Sequence, residues 1–266
     1  MSEAIRGSAS NDAQGAPRRR PTIVRSIADL RAKVARFRAD GETVALVPTM
    51  GALHEGHLSL VAEASRRATR VVVSIFVNPT QFAPHEDFQT YPRTEAADVE
   101  KLSGLDTDLV FAPSALEMYP LGNATRIEVA GPANGLETDF RPHFFGGVAT
   151  IVGKLLIACA PDVAIFGEKD YQQLAVVRQM VIDLLLPVTI VGGATVREAD
   201  GLAMSSRNAY LSAEERAVAP RLHAEMVRVA ETIRAGGDVD AAIATARAAL
   251  LAAGFREIDY LSARNA

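Results

Sequence analysis

The stretch Arg70 to Val77 constrains the fold of this chain more than any other. Val71, Val72, Val73, Ile75, Phe76 and Val77 put apolar side chains at both odd and even positions. A strand with one face in water alternates apolar and polar residues; one covered on both faces does not, and such strands belong to parallel sheets. Parallel neighbours need crossover connections, usually helices, so the rest of the chain should alternate strand with helix. It does. Ser26, with Asp29 three residues on, starts a helix whose Ile27, Leu30, Val34 and Phe37 share one face, and Gly41 is its natural stop. Strands are expected at Thr43 to Val47, Asp108 to Ala112, Val163 to Gly167 and Pro187 to Gly192. Helices are expected at about His57 to Arg67, Thr94 to Leu102, Val148 to Cys159 and Tyr171 to Leu186. The expectation is an α/β protein with a doubly wound parallel sheet and a ligand crevice at the carboxyl ends of its strands.

Three segments follow from this order: a tail over 1–20, the sheet domain over 21–186, and a smaller α+β domain over 187–266. The tail is rich in Ser, Ala, Gly and Asn, ends in Arg18, Arg19 and Arg20, and reads as disordered. In the last segment, Ser212-x-x-Glu215 reads as a capping box opening a long Ala-rich helix. A second helix spans Val239 to Ala253, and a strand is expected around Phe255 to Leu261.

Composition narrows the function classes. The net charge of -4 offers no basic face for nucleic acid, so nucleic acid is excluded as a main partner. No apolar run approaches the roughly 20 residues of a membrane helix, and no secretory leader is legible in the first twenty residues. Cys159 is the only cysteine, which forbids an intrachain disulfide and suits a reducing compartment. A cytoplasmic location is expected.

Chemistry concentrates in Val47-Pro-Thr-Met-Gly-Ala-Leu-His-Glu-Gly-His-Leu58, where a buried strand turns into a helix. A helix N-terminus offers unpaired N–H groups to phosphate. Gly56 allows close approach to the backbone, and the imidazoles of His54 and His57 can donate to phosphoryl oxygens as charge builds. A zinc site or a pair of satisfied surface histidines is the plain alternative. Zinc is disfavoured by the spacing and by the lack of a nearby cysteine.

His54-x-Gly-His57 resembles the HxGH signature of the nucleotidyltransferases, and four further blocks resemble one family among them, the pantoate–β-alanine ligases. These are Ser74-Ile-Phe-Val-Asn-Pro-Thr-Gln-Phe82, Tyr91-Pro-Arg-Thr94, Phe166-Gly-Glu-Lys-Asp-Tyr-Gln-Gln173 and Asp200-Gly-Leu-Ala-Met-Ser-Ser-Arg-Asn208. The resemblance spans roughly Pro21 to Leu261. It implies a Rossmann-like nucleotidyltransferase fold and a homodimer. It also implies a reaction in which ATP and pantoate form an adenylate that β-alanine then attacks, with Mg²⁺ accompanying the nucleotide.

The resemblance also implies the site residues. ATP is expected to meet Met50, Gly51, Ala52, Leu53, His54, Glu55, Gly56 and His57, then Gly167, Glu168, Lys169 and Asp170, and finally Val196, Met204, Ser205, Ser206 and Arg207. Of these, His54, His57, Lys169, Ser205, Ser206 and Arg207 are the expected catalytic set. Lys169 is a point charge for phosphates, and two hydroxyls with a guanidinium make a triphosphate clamp. The amides of Gln81, Gln173 and Asn78 suit a substrate dense in oxygen atoms, and the resemblance places pantoate on Gln81 and Gln173. Tyr91, Arg141 and His143 are expected near the substrates, and Asp98 near Mg²⁺. Two departures from the family pattern stand out. The chain stops at Ala266, a few tens of residues before the family's usual end, which reads either as a shortened last domain or as a truncated sequence, and Thr80 occupies a position that more often carries Met. Two competing readings remain: a nucleotidyltransferase acting on a phosphate ester, which would need cations where Gln81 and Gln173 stand, and a non-catalytic nucleotide-binding module.

Overall fold

The computed structural model describes residues 20–84 and 86–264. The expected tail therefore lies outside the described residues, Arg20 excepted. Among the described residues six parallel strands form one sheet: β1 (Thr22–Val24), β2 (Val44–Thr49), β3 (Arg70–Ile75), β4 (Leu109–Phe111), β5 (Val163–Gly167) and β6 (Thr189–Gly193), in the order β1-β4-β3-β2-β5-β6. The helices that connect or follow them are α1 (Ile27–Ala39), α2 (Glu55–Ser65), α3 (Glu95–Leu102), α4 (Ala115–Met118), α5 (Glu137–Phe140), α6 (Phe144–Cys159), α7 (Tyr171–Asp183), α8 (Ala213–Val218), α9 (Arg221–Arg234) and α10 (Val239–Ala252).

Burial on both faces explains the apolar runs. Along β2, Val44 and Leu46 point to a core shared with Leu30 and Val34 of α1, Val148 to Cys159 of α6, and Leu174 and Val177 of α7. Ala45 and Val47 point the other way, to Leu60, Val61 and Ala64 of α2 and Val99 and Leu102 of α3. Val72 and Val73 of β3 divide in the same manner. Each fully buried Val or Leu contributes roughly 1.5–3 kcal/mol of transfer free energy, so two sheathed faces require near-continuous Val, Ile and Leu.

The winding reverses at β2. From it the chain moves to β3 and β4 on one side, while β5 and β6 lie on the other. The pairs between β2 and β5 are Ala45 with Val163 and Leu46 with Ala164, whereas β2 stays paired with β3 through Thr49. Pro48, which cannot donate a ladder bond, falls beyond the last β5 pair. The sheet parts there, and a crevice opens at its carboxyl edge as the switch-point rule requires.

The sequence expectations need four corrections. β1 was not foreseen: Thr22, Ile23 and Val24 pair with Leu109, Val110 and Phe111, and three residues show no period. The long helix after the Ser212–Glu215 capping box is two, α8 and α9, broken at Pro220, which has no N–H and crowds the preceding turn. Helix α6 begins at Phe144, four residues earlier than its apolar period implied. Finally, no strand forms over 255–261, where the adjacent pairs Arg256-Glu257 and Tyr260-Leu261 break the period-2 alternation of a strand. Among the described residues after β6, the regular elements are helices and one bridge between Arg197 and Ala203.

Candidate active site

The loop after β2 is held in a conformation its residues would not choose alone. Gly51 has φ +83° and Ala52 φ +50°, a region that favours glycine. Asp98 on α3 holds it. The Asp98 side chain is fully buried, its Oδ2 accepts from the Ala52 N–H at 2.9 Å and its Oδ1 from the Leu53 N–H at 2.8 Å. Thr94 Oγ1 donates to Oδ2 at 3.1 Å. Both oxygens thus accept from the protein's own donors, so Asp98 braces the loop, and it does not line the cavity. Lys101, one turn further along α3, donates to the Leu53 carbonyl.

This loop ends in the two histidines. His54 is the N-cap of α2 and His57 the third residue of its first turn, so the pair occupies the places of a capping box. His54 Nδ1 accepts from the Gly56 N–H at 3.2 Å, and His57 Nδ1 from the His54 N–H at 3.3 Å. An accepting Nδ1 is unprotonated, so each neutral ring carries its proton on Nε2. Burial, then the charges of Lys169 and Lys101, holds the His54 pKa below its ordinary value. Burial, then neighbouring His54 and the same lysines, pushes His57 down to about 3. At neutral pH the site presents two uncharged N–H donors with their centroids 4.1 Å apart.

The other strands deliver their loops to the same edge. After β3, the 3-10 turn Pro79–Gln81 is capped by Asn78, which is 1% exposed. Asn78 Nδ2 donates to Gln81 Oε1 at 3.0 Å and to the Gly147 carbonyl at 3.2 Å, while Asn78 Oδ1 accepts from Tyr119 Oη at 2.8 Å. Asn78 therefore orients Gln81. The close fit needs Gly147, where a Cβ would stand 2.5 Å from the Thr80 carbonyl oxygen. After β5 come Lys169, 3.4 Å from Asp170 Oδ1, and Gln173 in the first turn of α7. After β6 the chain runs past Val196 to Met204, Ser205, Ser206 and Arg207. Here Ser206 Oγ lies 3.0 Å from Tyr91 Oη.

These loops enclose a cavity of about 310 Å³. Its walls include Met50, His54, Gly56 and His57 from the first loop, Gln81 and Tyr91 from the second, and Gly167, Lys169, Asp170 and Gln173 from the third. Val196, Met204, Ser205, Ser206 and Arg207 close it from the last, and Arg141 completes the set. Gly51, Ala52, Leu53, Glu55 and Glu168 are not among the wall residues, nor are Asn78, Asp98 and His143. His143 is instead the N-cap of α6, with a buried Nε2 that has no hydrogen-bond partner among the described residues.

Sequence reasoning missed Glu137, Phe144, Phe145 and Tyr260 on the walls. Arg141 is fully engaged there: it bonds Glu86 through Nε at 2.7 Å and Nη2 at 2.5 Å, and Glu137 through Nη1 at 2.9 Å. Its guanidinium lies 4.1 Å from the Phe144 ring centroid. Burial opposes ionisation of Glu86, but the Arg141 hydrogen bonds outweigh it and hold that carboxyl below the usual range. Tyr260 Oη donates to Glu137 Oε2 at 3.3 Å. Only folding brings residue 260 to the mouth of a cavity built by residues 48–207, so no local pattern announces it.

Known proteins resemble this chain over most of its length. The family described as pantoate-β-alanine ligase matches residues 22–266. Pantothenate synthetase of Bradyrhizobium sp. (strain BTAi1 / ATCC BAA-1182) is 60% identical over 249 residues, 93% of this chain and 88% of that protein. The enzyme of the same name from Mesorhizobium japonicum is 58% identical, over 92% of this chain and 87% of that one. Among solved structures, pantothenate synthetase from Thermus thermophilus superposes with a TM-score of 0.82 at 50% identity, covering 87% of this chain and 82% of that one. Pantoate-β-alanine ligase from Francisella tularensis, solved with β-γ ATP and β-alanine, superposes with a TM-score of 0.74 at 36% identity, over 86% and 85%.

Proposed function

The chain belongs to the pantoate–β-alanine ligase family, and from that premise we propose how its own residues carry the family's reaction. The enzyme condenses pantoate with β-alanine to pantothenate, using ATP. A pantoate carboxylate oxygen attacks the α-phosphorus and pyrophosphate leaves, giving pantoyl-adenylate. The β-alanine nitrogen then attacks the acyl carbon, the C–O bond to AMP breaks, and the amide forms as the amine loses its proton.

The observation that carries the division of labour is the convergence of the strand-end loops on one cavity. In this reading the Nε2–H groups of His54 and His57, with Lys169, stabilise the charge that grows on the phosphoryl oxygens as the P–O bond breaks. Neutral, preorganised donors in a partly desolvated site serve that purpose without reorganisation. Ser205, Ser206 and Arg207 clamp the leaving pyrophosphate. Gln81 and Gln173 hold pantoate through its hydroxyl and carboxylate oxygens, Gln81 being aligned by Asn78. Met50, Gly56, Gly167, Asp170, Val196 and Met204 line the nucleotide's part of the cavity.

Magnesium accompanies ATP in this proposal, held by phosphate oxygens and water as is usual for that ion. Asp98 is read as the brace of the first loop, and no cluster of three or more metal-ligating side chains occurs among the described residues. The division into a sheet domain over 21–186 and a smaller domain over 187–266 is proposed in functional terms only, since β6 belongs to the sheet. The homodimer and the cytoplasmic location are likewise proposals; no helix among the described residues is long and apolar enough to cross a membrane. Sedimentation velocity measures the first. The central test is pantoate-dependent exchange of labelled pyrophosphate into ATP. Exchange in the absence of β-alanine is the expected result, and none would remove the adenylate step.

A further inference from the structure

Arg207 is held on the cavity wall by a single carboxylate. Its Nε donates to Asp87 Oδ2 at 2.9 Å and its Nη2 to Asp87 Oδ1 at 3.0 Å, a two-point fork. The guanidinium carbon lies 5.5 Å from the Tyr91 ring centroid. The same ring's hydroxyl meets Ser206 Oγ at 3.0 Å, and Tyr210 Oη donates to the Thr90 carbonyl at 3.4 Å. The segment that follows the 3-10 turn after β3 is thereby stapled to the segment that carries the clamp, with Arg207 and Asp87 120 positions apart in sequence. Among the described residues, Nη1 of Arg207 makes no hydrogen bond, and Arg207 lines the cavity.

The side chains of Arg207 and Asp87 are 46% and 23% exposed, and a pair so placed contributes little to folding stability. Its consequence is geometric. A fork to a carboxylate fixes the guanidinium plane as well as its position, so two of the three nitrogens face Asp87 and the third is left for the cavity. Without the fork the same cation samples many rotamers.

We propose that Asp87 is the positioning residue for Arg207, holding the guanidinium plane so that Nη1 is presented to the departing pyrophosphate. The inference rests on the reading of Arg207 as part of the pyrophosphate clamp. Asp87 itself touches no substrate.

The test uses the full-length enzyme and follows the two half-reactions separately by single turnover. Asp87→Asn, which loses the charged fork, slows adenylate formation roughly 10-fold at saturating ATP and pantoate. It leaves the ATP KM within about threefold, because an interaction made mainly in the transition state appears in kcat, and it leaves attack of β-alanine on preformed adenylate unchanged. Asp87→Glu, which keeps a forked acceptor, recovers most of the rate. Arg207→Ala combined with Asp87→Asn is no slower than Arg207→Ala alone. An Asp87→Asn enzyme at the parent rate, or losses that multiply in the double variant, would overturn the positioning role while leaving the Arg207 reading in place. Arg207→Ala that forms adenylate at the parent rate would remove both.

Discussion

The His57 ring is fastened to the backbone of His54, whose N–H donates to His57 Nδ1 at 3.3 Å. That bond favours the neutral ring, and burial with the nearby lysines pushes its pKa down to about 3 from an ordinary 6.5. Between those two values the unfolded chain binds a proton here that the folded chain refuses. Stability is therefore lost as pH falls below 6.5, and above it this residue contributes no slope. The loss from His57 alone reaches roughly 2 kcal/mol near pH 5, and His54, lowered in the same direction, adds to it. Urea midpoints at about pH 7 and pH 5 measure this. His57→Asn should shrink the difference between them, and an undiminished difference would show that the acid loss arises elsewhere.

Turnover gives a separate prediction for the same ring. Removing one preorganised donor to developing phosphoryl charge costs about 3 kcal/mol, so His57→Ala should turn over ~10²-fold more slowly. Pyrophosphate exchange should fall in parallel, because the donor acts in the first half-reaction. Slow overall turnover with normal exchange would move His57 to the β-alanine step.

Both histidines were legible in the sequence because the signal is local: a buried strand, a glycine-bearing turn and a helix start follow one another between Val47 and Leu58. The sheet was legible for a related reason, since two covered faces leave almost no polar positions in Arg70 to Val77. What the sequence hid depends on partners distant in the chain. Asp98 looks like a free acidic side chain on a helix, and only the approach of Ala52 and Leu53 reveals it as a brace for a left-handed turn. Asn78 reads as a ligand contact until Gly147 and Tyr119 close around it. The strand expected at Phe255 to Leu261 does not form, and a strand exists only where an edge receives it. Pro220 did carry a local signal, and the Ala-rich pattern around it masked the break.

The Asp98 finding makes a prediction that separates a brace from a metal ligand. Asp98→Ala leaves the buried N–H groups of Ala52 and Leu53 without acceptors, each omission costing about 1–3 kcal/mol. Stability should fall by roughly 3 kcal/mol in chemical denaturation, and activity should fall as the His54 and His57 loop loosens. The magnesium concentration giving half-maximal rate should stay put. A variant of parent stability with a raised magnesium requirement would restore Asp98 as a metal ligand.

The two cavity glutamines yield the last prediction. Gln173 makes no side-chain hydrogen bond to another described residue, whereas Gln81 is held at both ends, by Asn78 on Oε1 and at 3.1 Å from Met50 Sδ on Nε2. If both hold pantoate, Gln81→Ala and Gln173→Ala each raise the pantoate KM about 10-fold, the worth of one hydrogen bond, and leave ATP affinity within a few-fold. Asn78 adds a sharper test, because it is not among the wall residues and acts on pantoate only through Gln81. Asn78→Ala should raise the pantoate KM, yet in a Gln81→Ala background the same change should raise it no further, although stability drops in both as the Gly147 and Tyr119 bonds are lost. Losses of pantoate binding that simply multiply would mean that Asn78 meets the substrate directly, and equal losses for ATP would place both glutamines in the nucleotide's half of the cavity.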